Sequence, residues 1–210
     1  MYRRGPGSTS AIPDVIFALL IANGIVYALQ QFDPHFMLRW FALQPLVSPP
    51  NIQFPPFMPW QLVTYGFLHS TGSLMHILFN MLMLWMFGRD LERLMGPRRF
   101  LTYYMVCVIG AGIVQLLVGV MQGWGVPTLG ASGGVFGILL AYGMAFPNRT
   151  IMLLFPPIPM KAKYFVILIG IFELTVGISG TNRGVANFAH VGGMLFGYLL
   201  LRHWGRRRRS

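Results

Sequence analysis

The chain has 210 residues, of which 55% are hydrophobic and only 10% charged. Soluble globular domains carry about 25% charged residues, so this balance excludes an ordinary soluble enzyme and predicts one compact membrane domain. The net charge of +11 does not point to nucleic acid, because the basic residues form no patch or DNA-reading helix and sit instead at the ends of apolar segments.

In chain order, residues 1–11 read as a short basic tail that lacks the apolar run and cleavage site of a signal peptide. Residues 12–204 read as a single membrane domain, and 205–210 as a second basic tail. Six apolar segments are expected as helices: 14–30, 74–88, 100–120, 131–146, 162–179 and 186–204. Several are shorter than the roughly 20 residues that cross a hydrocarbon core. Together they predict an all-α bundle of six membrane-spanning helices. All of the 16 basic residues except Arg39 and Arg183 fall on one side of such a bundle, which assigns both termini to the cytoplasm of a multi-pass protein in the cell membrane. The stretch Gln31 to Ser73, with Trp40, Phe54, Phe57, Trp60 and many prolines, is expected as a partly structured element at the outer interface. Ile151 to Met160 is expected to lie as an apolar stretch against the cytoplasmic face. Cys107, the only cysteine, reads as a small core residue.

Four polar residues interrupt these apolar segments: His76 and Asn80 in the second, Ser132 in the fourth and His190 in the sixth. At 1.5 Å per residue Ser132 lies about 22 Å above Pro147, His190 about 18 Å above Arg202, and His76 about 20 Å above Arg89. Asn80 follows one turn below His76 on the same face. The four therefore share one layer, and intramembrane polar residues at a common depth mark a functional site. The fourth segment is too short to begin at the surface. Its start predicts irregular backbone facing a water-filled pocket, with Ser132 at a helix N-terminus that favours developing negative charge. Gly130, Gly133 and Gly134 allow close approach of backbone and substrate.

Each residue also has a plainer reading. Ser132 alone is a small residue permitting helix contact, and Gly193 with Gly197 forms a small-xxx-small face for the same purpose. His76 and Asn80 alone are interhelical hydrogen-bonding groups. The Gly-x-Ser-x-Gly pattern of Gly130 to Gly134 mimics a soluble nucleophile elbow, but no strand precedes it. A zinc site of His69, His76 and His190 lacks both a His-Glu-x-x-His pattern and a usable carboxylate. Taken together, a serine, a histidine and spare donors at one depth are the parts of nucleophilic peptide cleavage.

The segment His69 to Asn80 (HSTGSLMHILFN), then GASGGVFG at 130–137, then AHVGGMLFG at 189–197 resembles the rhomboid family of intramembrane serine proteases. The resemblance implies that Ser132 is the nucleophile and His190 the general base of a dyad without a carboxylate. It implies that His76, Asn80 and the Ser132 backbone N–H line the oxyanion site, and that Phe136 packs on the His190 ring. Gly130, Gly133, Gly193 and Gly197 support these groups, and His69 is a structural residue of the outer loop. Trp60-Gln61 stands where many members have Trp-Arg, which concerns loop anchoring, and Phe136 where some have Tyr. The fifth helix and the loop Gly177 to Asn187 correspond to the movable gate and cap of related enzymes. The implied substrates are single-span or polytopic membrane proteins within the lipid bilayer, cut near their outer ends without metal or cofactor. A silent scaffold of the same fold, or a small transporter built on half-helices, are the rival readings. Glu173, the acidic residue deep in the fifth segment, is expected to be structural and to hydrogen-bond a neighbouring helix from the bundle interior, rather than to form a triad with Ser132 and His190.

Overall fold

The computed structural model describes residues 13–152, 157–179 and 187–206. The chain is a helical bundle of α1 (Asp14–Phe32), α2 (Pro34–Phe41), α3 (Gln61–Thr64) with a 3-10 turn at Tyr65–Phe67, α4 (Leu74–Met95), α5 (Pro97–Gln122), α6 (Ser132–Ala145), α7 (Ala162–Ser179) and α8 (Asn187–Arg206). Among the described residues α1, α5 and α7 are long and apolar enough to cross a membrane, whereas α6 is apolar but short. The tail expected at 1–11, residues 207–210 of the tail expected at 205–210, and residues 180–186 of the expected cap loop lie outside the described residues; Gly205 and Arg206 instead continue α8.

Local chemistry sets the helix boundaries. Asp33 caps α2 by accepting the Phe36 N–H at 2.8 Å, and Pro34 follows at N1, where its missing N–H costs nothing. Gly96, at φ +82°, and Pro97 break what would otherwise be one long helix into α4 and α5. α4 runs seven residues beyond its expected end at 88, because Leu91 and Glu92 continue its inward face and both are buried. The Glu92 carboxylate accepts the Val15 N–H at 3.0 Å and the Ile16 N–H at 2.9 Å. It thus satisfies two of the amides that every helix N-terminus leaves unpaired.

One expectation is corrected. Within Ile151 to Met160 the chain does not lie as a simple apolar stretch: Thr150–Met152 (β1) pairs antiparallel with Pro159–Lys161 (β2), in the register Ile151 opposite Met160. Alternation explains the difference, since Ile151 is buried while Thr150 and Met152 are exposed, and a proline is tolerated on an edge strand. The bundle is therefore almost, not wholly, α.

α6 is the buried axis, contacted by α4, α5, α7 and α8. Glycines bring its neighbours to backbone distance. A Cβ at Gly137 would overlap Cys107 of α5, and one at Gly193 of α8 would overlap the Gly133 carbonyl of α6. Cys107 is thus a packing residue, fully buried. The loop between α1 and α4 is structured, as its aromatic content implies. The buried Gln61 Oε1 accepts from the Gln44 N–H at 3.2 Å and the Met58 N–H at 3.1 Å, and its Nε2 donates to the Trp40 carbonyl. Trp60 Nε1 donates to the same carbonyl at 2.9 Å, so the Gln61 amide anchors the loop.

Candidate functional site

α6 starts at Ser132, which puts its hydroxyl on the first turn beside amides with no partner in the helix ladder. Gly130, just before it, has φ +131° and donates its N–H to the Tyr65 carbonyl at 2.9 Å. That irregular backbone abuts a cavity of about 820 Å³ whose polar wall includes Ser70, His76, Gln115, Ser132, Asn187 and His190. A cavity of this size and polarity can hold water.

His190 Nε2 lies 2.8 Å from Ser132 Oγ. The imidazole stacks on Phe136, one turn along α6, with ring centroids 4.3 Å apart and planes within 4°. Its other nitrogen, Nδ1, lies 2.9 Å from Glu173 Oε2 on α7, and Asn187 Nδ2 donates to the same oxygen. Glu173 does bond a neighbouring helix, but its partner there is His190 itself, so the expectation of a histidine without a carboxylate partner is corrected: the rotation of α7 about its axis turns Glu173 onto the imidazole. Asn187 and His190 stand three apart, on one face of α8. That spacing was the available signal for a shared partner.

His76 approaches from α4. Its Nδ1 accepts the Ser70 N–H at 3.1 Å, so the neutral ring carries its proton on Nε2. That nitrogen faces the bare Cα of Gly130: a Cβ there would stand 3.1 Å from His76 Nε2 and 3.5 Å from Ser132 Oγ. His76 Nε2 and the serine hydroxyl therefore both border the space over Gly130. Asn80 follows one turn on, donating from Nδ2 to the His76 carbonyl at 2.8 Å. It lines a smaller neighbouring cavity of about 380 Å³ with Phe136 and Phe165 rather than the larger one. Ser132, His190, His76, Phe136 and Gly130 thus come together, and Asn80 stands behind them. Gly193 and Gly197 set the approach of α8: a Cβ at Gly197 would overlap the Tyr103 hydroxyl.

His69 lies outside this group. Its ring is fully buried, edge-on to His76 at 5.2 Å. Its main chain exchanges two hydrogen bonds with the Gln30 side chain of α1, both at 2.9 Å. Burial, with the His76 ring beside it, lowers the pKa of this loop histidine to about 4. Among the described residues no three His, Cys, Asp or Glu side chains converge as a metal-ligand set. The geometry suits a hydroxyl whose proton passes to an imidazole, with N–H donors close to the point of attack.

A family model for the rhomboid domain matches residues 56–207. The chain belongs to the rhomboid family. This rhomboid is 27% identical over 190 residues to "Rhomboid protein 1, mitochondrial" of Saccharomyces cerevisiae, an alignment covering 89% of the chain and 52% of the relative. It is 31% identical over 191 residues to "Rhomboid protease GlpG" of Serratia proteamaculans, covering 89% and 60%. It is 33% identical over 141 residues to "Rhomboid protease GluP" of Bacillus subtilis, covering 66% and 25%. The chain thus spans about half the length of the yeast relative.

Proposed function

We propose that this rhomboid is an intramembrane serine endopeptidase, with Ser132 as nucleophile and His190 as general base, acting on transmembrane segments of other membrane proteins near their outer ends. The 2.8 Å contact between His190 Nε2 and Ser132 Oγ at the edge of a polar cavity carries this reading. The protease names of the Serratia and Bacillus relatives support it. The domain sits in the cell membrane as six spans, the short α6 among them, with both termini in the cytoplasm. The one-sided distribution of Lys and Arg supports that orientation.

The chemistry follows from the atoms. As Ser132 Oγ bonds to the scissile carbonyl carbon, its proton passes to His190 Nε2 and the carbonyl oxygen becomes an oxyanion. The His76 Nε2–H and the Ser132 backbone N–H donate to that oxygen, with Asn80 supplying a further donor from behind. The imidazolium returns the proton to the departing amine as the C–N bond breaks. A cavity water then repeats the sequence on the acyl-enzyme, and its hydrolysis frees Ser132. No step uses a metal or cofactor.

The test reconstitutes the full chain in liposomes with a single-span substrate. Ser132 is expected to be labelled by a fluorophosphonate, and Ser132→Ala and His190→Ala are each expected to lose at least about 10²-fold in turnover while staying folded. Wild-type cleavage by folded Ser132→Ala would end the assignment. A chain that folds, binds transmembrane helices and never labels would be a scaffold.

A further inference from the structure

We infer that Glu173 is a positioning residue for the general base, so that Ser132, His190 and Glu173 work as a hydrogen-bonded triad in which the carboxylate fixes and stabilises the imidazole. The inference rests on the serine–histidine reading above and deepens it.

The chain has five acidic residues, and four have evident structural duties. Asp14 opens α1, Asp33 caps α2, Asp90 pairs with Arg149 at 2.8 Å, and Glu92 caps α1. Glu173 is different. It is buried, at 7% exposure, and among the described residues its carboxylate meets no Lys or Arg; its partners are the side chains of Asn187 and His190. Both partners address Oε2. Asn187 Nδ2 can only donate, so Oε2 accepts there, and the His190 Nδ1–H donates to the same oxygen. That assignment leaves Nε2 as the lone-pair nitrogen, and Nε2 is the atom 2.8 Å from Ser132 Oγ. The contacts on the carboxylate and on the serine thus require the same tautomer of one ring.

A carboxylate placed this way has two consequences. It holds the imidazole in the plane that Phe136 stacks against, so the ring cannot rotate its N–H toward the serine. It also offsets the positive charge that appears on His190 when the serine proton arrives. The carboxylate does not take that proton; it remains on imidazole until the leaving amine receives it. Among the described residues the titratable groups that face His190 are Glu173 of α7, Ser132 of α6 and, from α4, the His76 imidazole. Glu173 is the sole negative charge among them.

Glu173→Gln is the first test, because it keeps shape and hydrogen bonding and removes the charge. In proteoliposomes its turnover per folded molecule is expected to fall about 10²-fold or more. Glu173→Asp, which restores the charge on a shorter arm, is expected to recover part of the rate. A structural residue would instead lower the melting temperature with turnover unchanged, and that result overturns the inference. If neither variant folds, nitrogen-15 histidine NMR of the wild-type chain, assigned by His190→Ala, decides. A neutral His190 protonated at Nδ1, with that proton far downfield, is expected; protonation at Nε2 overturns the inference. Failure of Glu173 leaves Ser132 labelling and the Ser132→Ala loss intact. Failure of the protease reading removes both.

Discussion

His76 and Asn80 stand one turn apart on α4, yet their chemistry differs. Ser70 consumes the acceptor of His76 and leaves its Nε2–H directed at Gly130, whereas Asn80 spends one amide proton on its own helix and faces the smaller cavity. His76→Ala is therefore expected to lower kcat by about 10²–10³-fold, the usual loss for one oxyanion donor. Asn80→Ala should cost less, and rates per folded molecule with parallel thermal melts check the order. A group that only joined helices would change the melt alone. His69, lying before α4, makes a separate prediction about stability. Its folded pKa is near 4 against an ordinary 6.5, so the unfolded chain binds a proton that the folded chain excludes. The stability this imidazole supports is complete above pH 6.5 and is lost progressively as pH falls toward 4. Melting temperature measured against pH in His69→Gln should show a shallower acid slope than wild type. These residues were legible to different degrees. Ser132, His190 and His76 could be matched because rise per residue puts three parallel helices on one depth scale. Glu173 stands at a compatible depth too, but whether it meets His190 depends on the rotation of α7 about its axis, and an apolar segment exposed over most of its surface carries little periodicity to fix that rotation.

Two side-chain amides and one carboxylate organise the elements around the site. Gln30 receives the His69 N–H and donates to the His69 carbonyl, a pairing otherwise supplied by a neighbouring strand. Only an amide of this length can do both. Gln30→Glu removes the donor and sets an oxygen against the His69 carbonyl. It is expected to destabilise by about 1–3 kcal/mol, the cost of a buried polar group left unpaired, and to raise hydrogen exchange in residues 68–73. Glu92 performs the matching task at the opposite end of α1. Glu92→Ala leaves one buried and one half-buried amide without acceptors and is expected to cost a similar or larger amount, read as a lower melting temperature. The sequence suggested that the loop from Gln31 to Ser73 was structured, through its tryptophans and prolines. It could not name Gln30, Gln61 or Glu92 as the clasps, because such long-range bonds leave no local pattern. The β1–β2 hairpin escaped notice for a related reason: three residues of alternation are too few to separate from an apolar run.

Across the whole molecule, the parts that hold the site differ sharply in how firmly they are held. α7 presents Ile167, Leu168, Ile171, Phe172 and Ile178 outward and meets the bundle along a narrow strip that includes Glu173. α6 and α8 meet through main chain, with the bare Cα of Gly193 against the Gly133 carbonyl. Gly193→Ala would force two helix backbones apart. It is expected to destabilise by more than the roughly 1–3 kcal/mol typical of an overpacked side chain, which can rotate away, and to yield little folded protein in detergent. The same contact governs how the proposed activity would be lost on heating. A spacing set by side chains can widen by degrees as rotamers loosen, but two touching backbones either keep their distance or separate. Between Ser132 and His190 there is no slack to take up. Residual turnover at each temperature should therefore follow the folded fraction point for point, without the early decline of enzymes whose reacting groups stand on mobile loops.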